Sequence, residues 1–290
     1  MTLKFAVIGE TGQLARALKD QIKHQNYQAV YFNRSTLDLS SSSAEIEKVL
    51  ENIPPVDAVI LAAAYTAVDK AEKEMERAMK VNGRSPGLIA KICKKHDIPL
   101  VHFSTDYVFN GKAETPYKVS DKPQPINAYG QSKYKGERLI KASGCRHAIL
   151  RTSWVFDGNG QNFLTTMLQL AQSNNALNIV DDQRGRPTYA GHLARAGLSA
   201  ARGLLSGRKD CCGIFHVSNT GSVISWAEFA EAIFAAEKIE AKIIKIPTSE
   251  YPTPARRPAY SALDTEKFES LFDYKLPNWQ EGLKAALAER

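Results

Sequence analysis

An apolar pentapeptide that runs into a glycine turn and then into leucines at helical spacing constrains this chain more than any other feature. Residues 4–8 read as a short strand, Gly9-Glu-Thr-Gly12 as the turn, and Leu14, Leu18 and Ile22 share one helical face. This is the opening half of a β-α-β unit. The pattern recurs with strands at 28–32, 58–62, 100–104 and 147–151, separated by helical stretches at 44–52, in a long region ending near Lys95, and from near Tyr129. Parallel neighbours need crossover connections, so short strands alternating with long helices predict an α/β fold with a doubly wound parallel sheet.

Beyond Trp154 the alternation loosens, with helices predicted at 163–172 and 193–205 and strands at 177–180 and 213–218. Ser225-Trp-Ala-Glu228 matches a capping box that opens another helix. The chain therefore divides into a dinucleotide-binding domain, mainly 1–153, and a smaller α/β substrate-binding domain, mainly 154–290, with some segments returning to the main sheet.

Composition removes several classes. With 43% hydrophobic and 24% charged residues among 290, the chain is neither disordered nor collagenous nor a coiled coil. The apolar run 58–68 is short of the roughly 20 residues that cross a bilayer. A glycine turn interrupts the N-terminus before a signal peptide could develop, so a cytoplasmic protein without membrane partners is expected. Four cysteines without a CxxC pair point to reduced, mostly buried thiols rather than zinc or disulfides. The net charge of +7 is spread along the chain, which predicts a small polyanionic ligand and no nucleic acid.

The turn GETGQLA, from Gly9 to Ala15, sits where glycine lets a pyrophosphate approach a helix N-terminus. Asp38-Leu39 follow the second strand and are placed to hold an adenine. Arg34, just past that strand, is placed to pair with a 2′-phosphate, as in NADPH. Tyr129 and Lys133 lie one helical turn apart. Chance alone supplies about one such spacing in a chain this rich in tyrosine and lysine, so context decides its weight. Here the pair opens the helix after the fourth strand, which ends in Ser104-Thr105-Asp106 at a sheet edge where open α/β proteins bind ligands. A phenol near pKa 10 is a poor acid at neutral pH unless a cation stabilises its phenolate, the role expected of Lys133. Thr105 would bond the substrate oxygen.

The glycine turn, AAAYTAVDKAE (62–72), STDYVF (104–109), the Tyr129/Lys133 pair, RTSW (151–154) and TPARRP (253–258) together resemble the extended short-chain dehydrogenase/reductases, and within them the dTDP-4-dehydrorhamnose reductases. The resemblance runs in order over essentially the whole chain. It implies a Rossmann domain and reduction of the 4-keto group of dTDP-4-dehydro-β-L-rhamnose, the last step of dTDP-L-rhamnose biosynthesis, with NADPH as cofactor and NADH accepted. It implies Thr105, Tyr129 and Lys133 as catalytic residues. Cofactor contacts would come from Gly9, Gly12, Gln13, Leu14, Arg34, Asp38, Leu39, Ala64, Tyr65, Thr66, Tyr129 and Lys133. Substrate contacts would come from Thr105, Asp106, Trp154 and Arg257. Asp69, Lys70 and Glu72 read as helix caps and solvated charges without a site role.

Two departures and two alternatives frame this reading. Related dehydratases carry an Asp-Glu pair after the threonine, whereas Asp106-Tyr107 stands here, so reduction fits better than elimination. Gly191 occupies the position at which some relatives carry a metal-bridging glutamate, which predicts no metal and any homodimer held by protein contacts alone. The alternatives are a reductase of another nucleotide keto-sugar, and a non-catalytic regulatory subunit of the methionine adenosyltransferase type, which shares the fold.

Overall fold

Strands that carry apolar side chains on both faces must lie between two layers of helices. In the computed structural model, which describes residues 2–290, the first half runs β1 (Lys4–Ile8), α1 (Gln13–His24), β2 (Gln28–Phe32), α2 (Ser43–Leu50), β3 (Ala58–Leu61), α3 (Val68–Ala71), α4 (Met75–Ala78), α5 (Ser85–Lys95), β4 (Leu100–Thr105), α6 (Ala128–Ser143) and β5 (His147–Thr152). The second half runs β6 (Val155–Phe156), α7 (Phe163–Ala171), β7 (Ala176–Val180), β8 (Arg184–Gly185), β9 (Thr188–Tyr189), α8 (Ala190–Leu205), β10 (Gly213–His216), β11 (Ile224–Ser225), α9 (Trp226–Glu237), β12 (Lys242–Ile246), α10 (Glu266–Phe272) and α11 (Trp279–Leu287).

Six strands form one parallel sheet in the order β10-β5-β4-β3-β1-β2. Phe5 and Val7 of β1 pack with Leu18, Ile22 and Leu193 under α1 and α8. Ala6 and Ile8 pack with Ile46, Ile89 and Ile140 under α2, α5 and α6. The order reverses between β1 and β3, which opens a crevice at their carboxyl ends. A separate core of Leu164, Ile179, Phe229 and Leu283 joins α7, β7, α9 and α11. The capping box at Ser225 forms as the sequence predicts, with Ser225 Oγ accepting from Glu228 N at 3.0 Å.

The elements differ from the sequence expectation mainly in one place. The long helical region before Lys95 is broken into α3, α4, a widened π-type turn at Met79–Arg84, and α5. Its cause lies outside the local sequence. Asn82 accepts from Tyr65 N at 2.8 Å and donates to Tyr65 O at 2.9 Å, so the widened turn carries an amide into the loop after β3. Elsewhere β4 and β5 each run one residue further than predicted, α8 starts three residues earlier, and β10 stops at His216. All four cysteines are free, and only Cys212 is exposed. Among the described residues no helix is long and apolar enough to cross a membrane.

Behind the crevice Arg151 is fully buried and forks onto Glu137, with Nε to Oε1 at 2.9 Å and Nη2 to Oε2 at 2.7 Å. Ser104 Oγ donates to the same Oε1 at 2.6 Å, which joins β4, β5 and α6 at one carboxylate. A charge left alone in such a place costs far more than the pair contributes. Glu137→Leu is expected to lower stability in urea unfolding by about 3–5 kcal/mol, and Glu137→Leu with Arg151→Met to recover most of that loss.

Candidate active site

Gly9 ends β1 with φ +109°, and a Cβ there would lie 2.9 Å from Ala63 N, so only glycine lets the two strand ends meet at the crevice. Gly12 caps α1 without a side-chain hydrogen bond, and a Cβ on it would meet nothing within 4 Å. The first backbone N–H groups of α1 therefore open onto free space suited to an anion. That space is a cleft of about 810 Å³. Its wall contains Gly9, Gly12, Gln13, Leu14, Arg34, Asp38, Leu39, Ala64, Tyr65, Thr66, Thr105, Asp106, Tyr129, Lys133 and Trp154, every predicted site residue except Arg257.

At one end of the cleft, Gln13 Nε2 donates to Val155 O at 3.1 Å, while its Oε1 is buried and has no partner among the described residues. Arg34 Nε donates to Asp38 Oδ2 at 3.2 Å, both side chains being solvent-accessible. Burial pushes the Asp38 carboxyl up, but the Ser40 N–H and hydroxyl, with Arg34, outweigh it and hold the group below its usual range. The residues expected to meet the adenine and the 2′-phosphate are thus one ion-paired unit.

At the other end the acids and bases crowd. Thr105 Oγ1 donates to Asp106 Oδ1 at 2.9 Å and accepts from Tyr107 N at 3.2 Å. Asp106 Oδ2 is buried without a partner among the described residues, and burial raises this carboxyl to about 7. The Tyr129 phenol is raised by burial and by Asp106, with Thr105 pulling it down. Lys133 is lowered to about 8 by burial, against the pull of Glu137.

Lys133, expected to stabilise the Tyr129 phenolate, donates from Nζ to Phe103 O at 2.7 Å, while burial and Asp106 raise the phenol and Thr105 pulls it down. Burial and Asp106 together outweigh the Thr105 hydrogen bond, and the phenol lies above its ordinary range.

Trp154 adopts φ +49°, rare for a bulky side chain, and stacks on Trp226 with ring centroids 3.5 Å apart and planes 7° from parallel. Arg257 is not among the residues of the cleft wall. Its Nη2 donates to Asp69 Oδ2 at 2.7 Å, while its Nη1 is buried without a partner among the described residues. Asp69 also accepts from Ala255 N at 3.1 Å, and Glu72 accepts from Ala128 N at 2.8 Å at the start of α6. Glu72 thus caps the Tyr129 helix, and Asp69, rather than only facing solvent, fastens the TPARRP loop. Asn82 and Trp226 were also missed. The capping box announces a helix at Trp226, but no local signal names its aromatic partner.

Gly191 lies in the first turn of α8, and Glu289 reaches the Tyr189 hydroxyl and accepts from Gly158 N at 3.2 Å. Among the described residues no group of three or more His, Cys, Asp or Glu is arranged to hold a metal ion.

Residues 3–290 match the family described as the RmlD substrate binding domain. The chain belongs to that family. It is 42% identical over 287 residues to the dTDP-4-dehydrorhamnose reductase of Sinorhizobium fredii, with 97% of this chain and 96% of the relative covered. It is 36% identical over 295 residues to that of Escherichia coli K12, covering 99% and 98%. The crystal structure of dTDP-4-dehydrorhamnose reductase from Bacillus anthracis in complex with NADP superposes with TM-score 0.93 at 33% identity, both chains covered in full.

The buried Asp106 carboxyl gives this RmlD-family fold a pH signature. Its proton-bearing form is the one the site accepts, so its contribution to stability is complete below the ordinary carboxylate range and is lost as pH rises through about 7. Asp106→Asn is expected to raise Tm relative to the unsubstituted protein more at pH 8 than at pH 5. An equal shift at the two pH values would show that the carboxylate ionises there without cost.

Proposed function

We propose that the chain reduces the 4-keto group of dTDP-4-dehydro-β-L-rhamnose to dTDP-β-L-rhamnose, the final step in making that nucleotide sugar, with NADPH preferred and NADH accepted. The observation that carries the reading is the Tyr129 phenol at the carboxyl end of the sheet, kept protonated by burial and Asp106, beside Thr105 and in the same cleft as the bare N-terminus of α1. Full-length likeness to reductases of this substrate supports it further.

The residues present fit a dinucleotide. Gly9 and Gly12 leave room at the helix N-terminus, Gln13 and Leu14 follow them, and Ala64, Tyr65 and Thr66 line the opposite lip. Arg34, Asp38 and Leu39 would hold the adenosine end, with Arg34 toward a 2′-phosphate. The bound cofactor supplies a hydride to the keto carbon. Thr105 hydrogen-bonds the keto oxygen, and Tyr129 delivers a proton to that oxygen as it gains charge. The phenol is protonated at neutral pH, and it gives up that proton as the keto oxygen gains charge from the hydride. Lys133 keeps one positive charge against the cleft wall. Asp106, Trp154 and Arg257 would hold the sugar nucleotide, Arg257 through its unpaired Nη1.

On this reading residues 1–153 mainly bind cofactor and 154–290 mainly bind substrate. The free cysteines and the demand for reduced nicotinamide support a cytoplasmic setting. Any homodimer would form through protein contacts without a bridging metal.

The deciding assay is oxidation of NADPH and NADH with dTDP-4-dehydro-L-rhamnose as acceptor. Turnover of cofactor with this sugar nucleotide is expected, and none would remove the reading. Tyr129→Phe is expected to lower kcat by about 10²- to 10⁴-fold while cofactor still binds. Loss of less than tenfold would take the proton from Tyr129 and give it to another group. Arg34→Ala is expected to raise KM for NADPH several-fold more than KM for NADH. Equal effects would mean that Arg34 serves Asp38 alone.

A further inference from the structure

Lys133 is anchored from behind by two acceptors on β4. Its Nζ donates to Phe103 O at 2.7 Å and lies 3.4 Å from His102 Nε2, and both side chains are buried. An ammonium has three N–H donors. The two acceptors take two of them, and the third is left for the cleft that Lys133 lines.

Nε2 can accept only from a neutral imidazole that carries its proton on Nδ1. Burial first, and the Lys133 charge second, hold His102 well below the ordinary histidine range, so the ring is neutral. The register of β4 on β5 sets Leu100 against His147 and His102 against Ile149, which puts both imidazoles on the sheet face packed by α5 and α6. His147 Nδ1 lies 2.9 Å from Cys145 O, an oxygen that only accepts, so its proton is on Nδ1 and its Nε2 is an acceptor. His102 Nδ1 and His147 Nε2 are both buried without partners among the described residues. They are a donor and an acceptor, complementary in sense, on one face.

We propose that His102 is a positioning residue for the reduction, holding the Lys133 ammonium as its side-chain acceptor and aiming the remaining N–H into the cleft. The inference rests on the reading of Lys133 as a working residue of the reductase site. Among charged and titratable neighbours, Glu137 on α6 favours the ammonium, Arg151 on β5 is bound to Glu137, and His147 on β5 acts on His102. Removal of the His102 acceptor withdraws a hydrogen bond from the charged form. The Lys133 pKa then falls below its present value of about 8, and the alkaline limb of the kcat profile moves toward lower pH.

The experiment measures kcat, cofactor KM and their pH profiles for the cofactor-saturated enzyme and its His102→Leu, His102→Gln and Lys133→Met variants. His102→Leu is expected to lose about tenfold in kcat, with the alkaline limb shifted acidward and cofactor KM changed less than kcat. His102→Gln, whose amide oxygen can accept from the ammonium, is expected to restore both rate and limb. If the leucine variant does not fold, His102→Asn, with too short a reach to meet Nζ, takes its place. An unshifted limb in His102→Leu, or a glutamine variant as impaired as the leucine one, would overturn the proposal. Lys133→Met that retains rate and limb would instead overturn the role of Lys133. An inactive Lys133→Met beside an unaltered His102→Leu would sink the inference on His102 alone.

Discussion

The buried fork between Arg151 and Glu137 holds together the three elements that carry the chemistry. Glu137 lies one turn beyond Lys133 on α6, Arg151 lies just before Thr152 and Trp154 at the end of β5, and Ser104 precedes Thr105 at the end of β4. Two full charges in a dry interior are tolerated only in good geometry, with their remaining donors and acceptors satisfied. Phe109 lies under the guanidinium at 5.1 Å, and His216 of β10 stands 3.5 Å from Nη1. The pair therefore restricts how β4, β5, β10 and α6 can shift relative to one another. A proton donor on a helix and a hydroxyl on a strand need that rigidity to meet one small carbonyl group.

Desolvation is the second organising force. In the crowded end of the cleft it raises Asp106 and Tyr129 and lowers Lys133, and behind Lys133 it lowers His102, each away from its charged form. The net effect is a site whose acids hold their protons and whose bases hold theirs less tightly than in water. The pairing of tyrosine and lysine at four-residue spacing leads one to expect charge stabilisation of the phenol, and the structure adds a lysine tethered to Phe103 O and a phenol raised by burial and Asp106. Helical spacing places two side chains on one face, but it does not say which partners on neighbouring strands compete for them.

Much of the architecture was legible because it rests on local chemistry. The glycine turn needs a residue that accepts φ +109°, the capping box at Ser225 closes within four residues, and the strand pattern of β1 and β3 follows from burial on both faces. The cleft wall was legible for the same reason, since its residues cluster at strand ends that the alternation locates. What escaped was every contact between distant segments. Asn82 reaches back 17 positions to Tyr65, Asp69 reaches 186 to Ala255, and Trp226 meets Trp154 across the second core. No periodicity encodes such pairs.

By itself, then, the sequence determined the doubly wound sheet, the site at the carboxyl edge of its strands and the residue types that line it, because turns, caps and apolar periods are properties of neighbouring residues. Only the tertiary structure decided the upward shifts of Asp106 and Tyr129, the tether on Lys133, the pairing of Arg34 with Asp38, and the pairing of Arg257 with Asp69. Those outcomes depend on how much water is excluded and on which oxygen stands within 3 Å of a given nitrogen, and both are settled when strands and helices far apart in the chain are brought together.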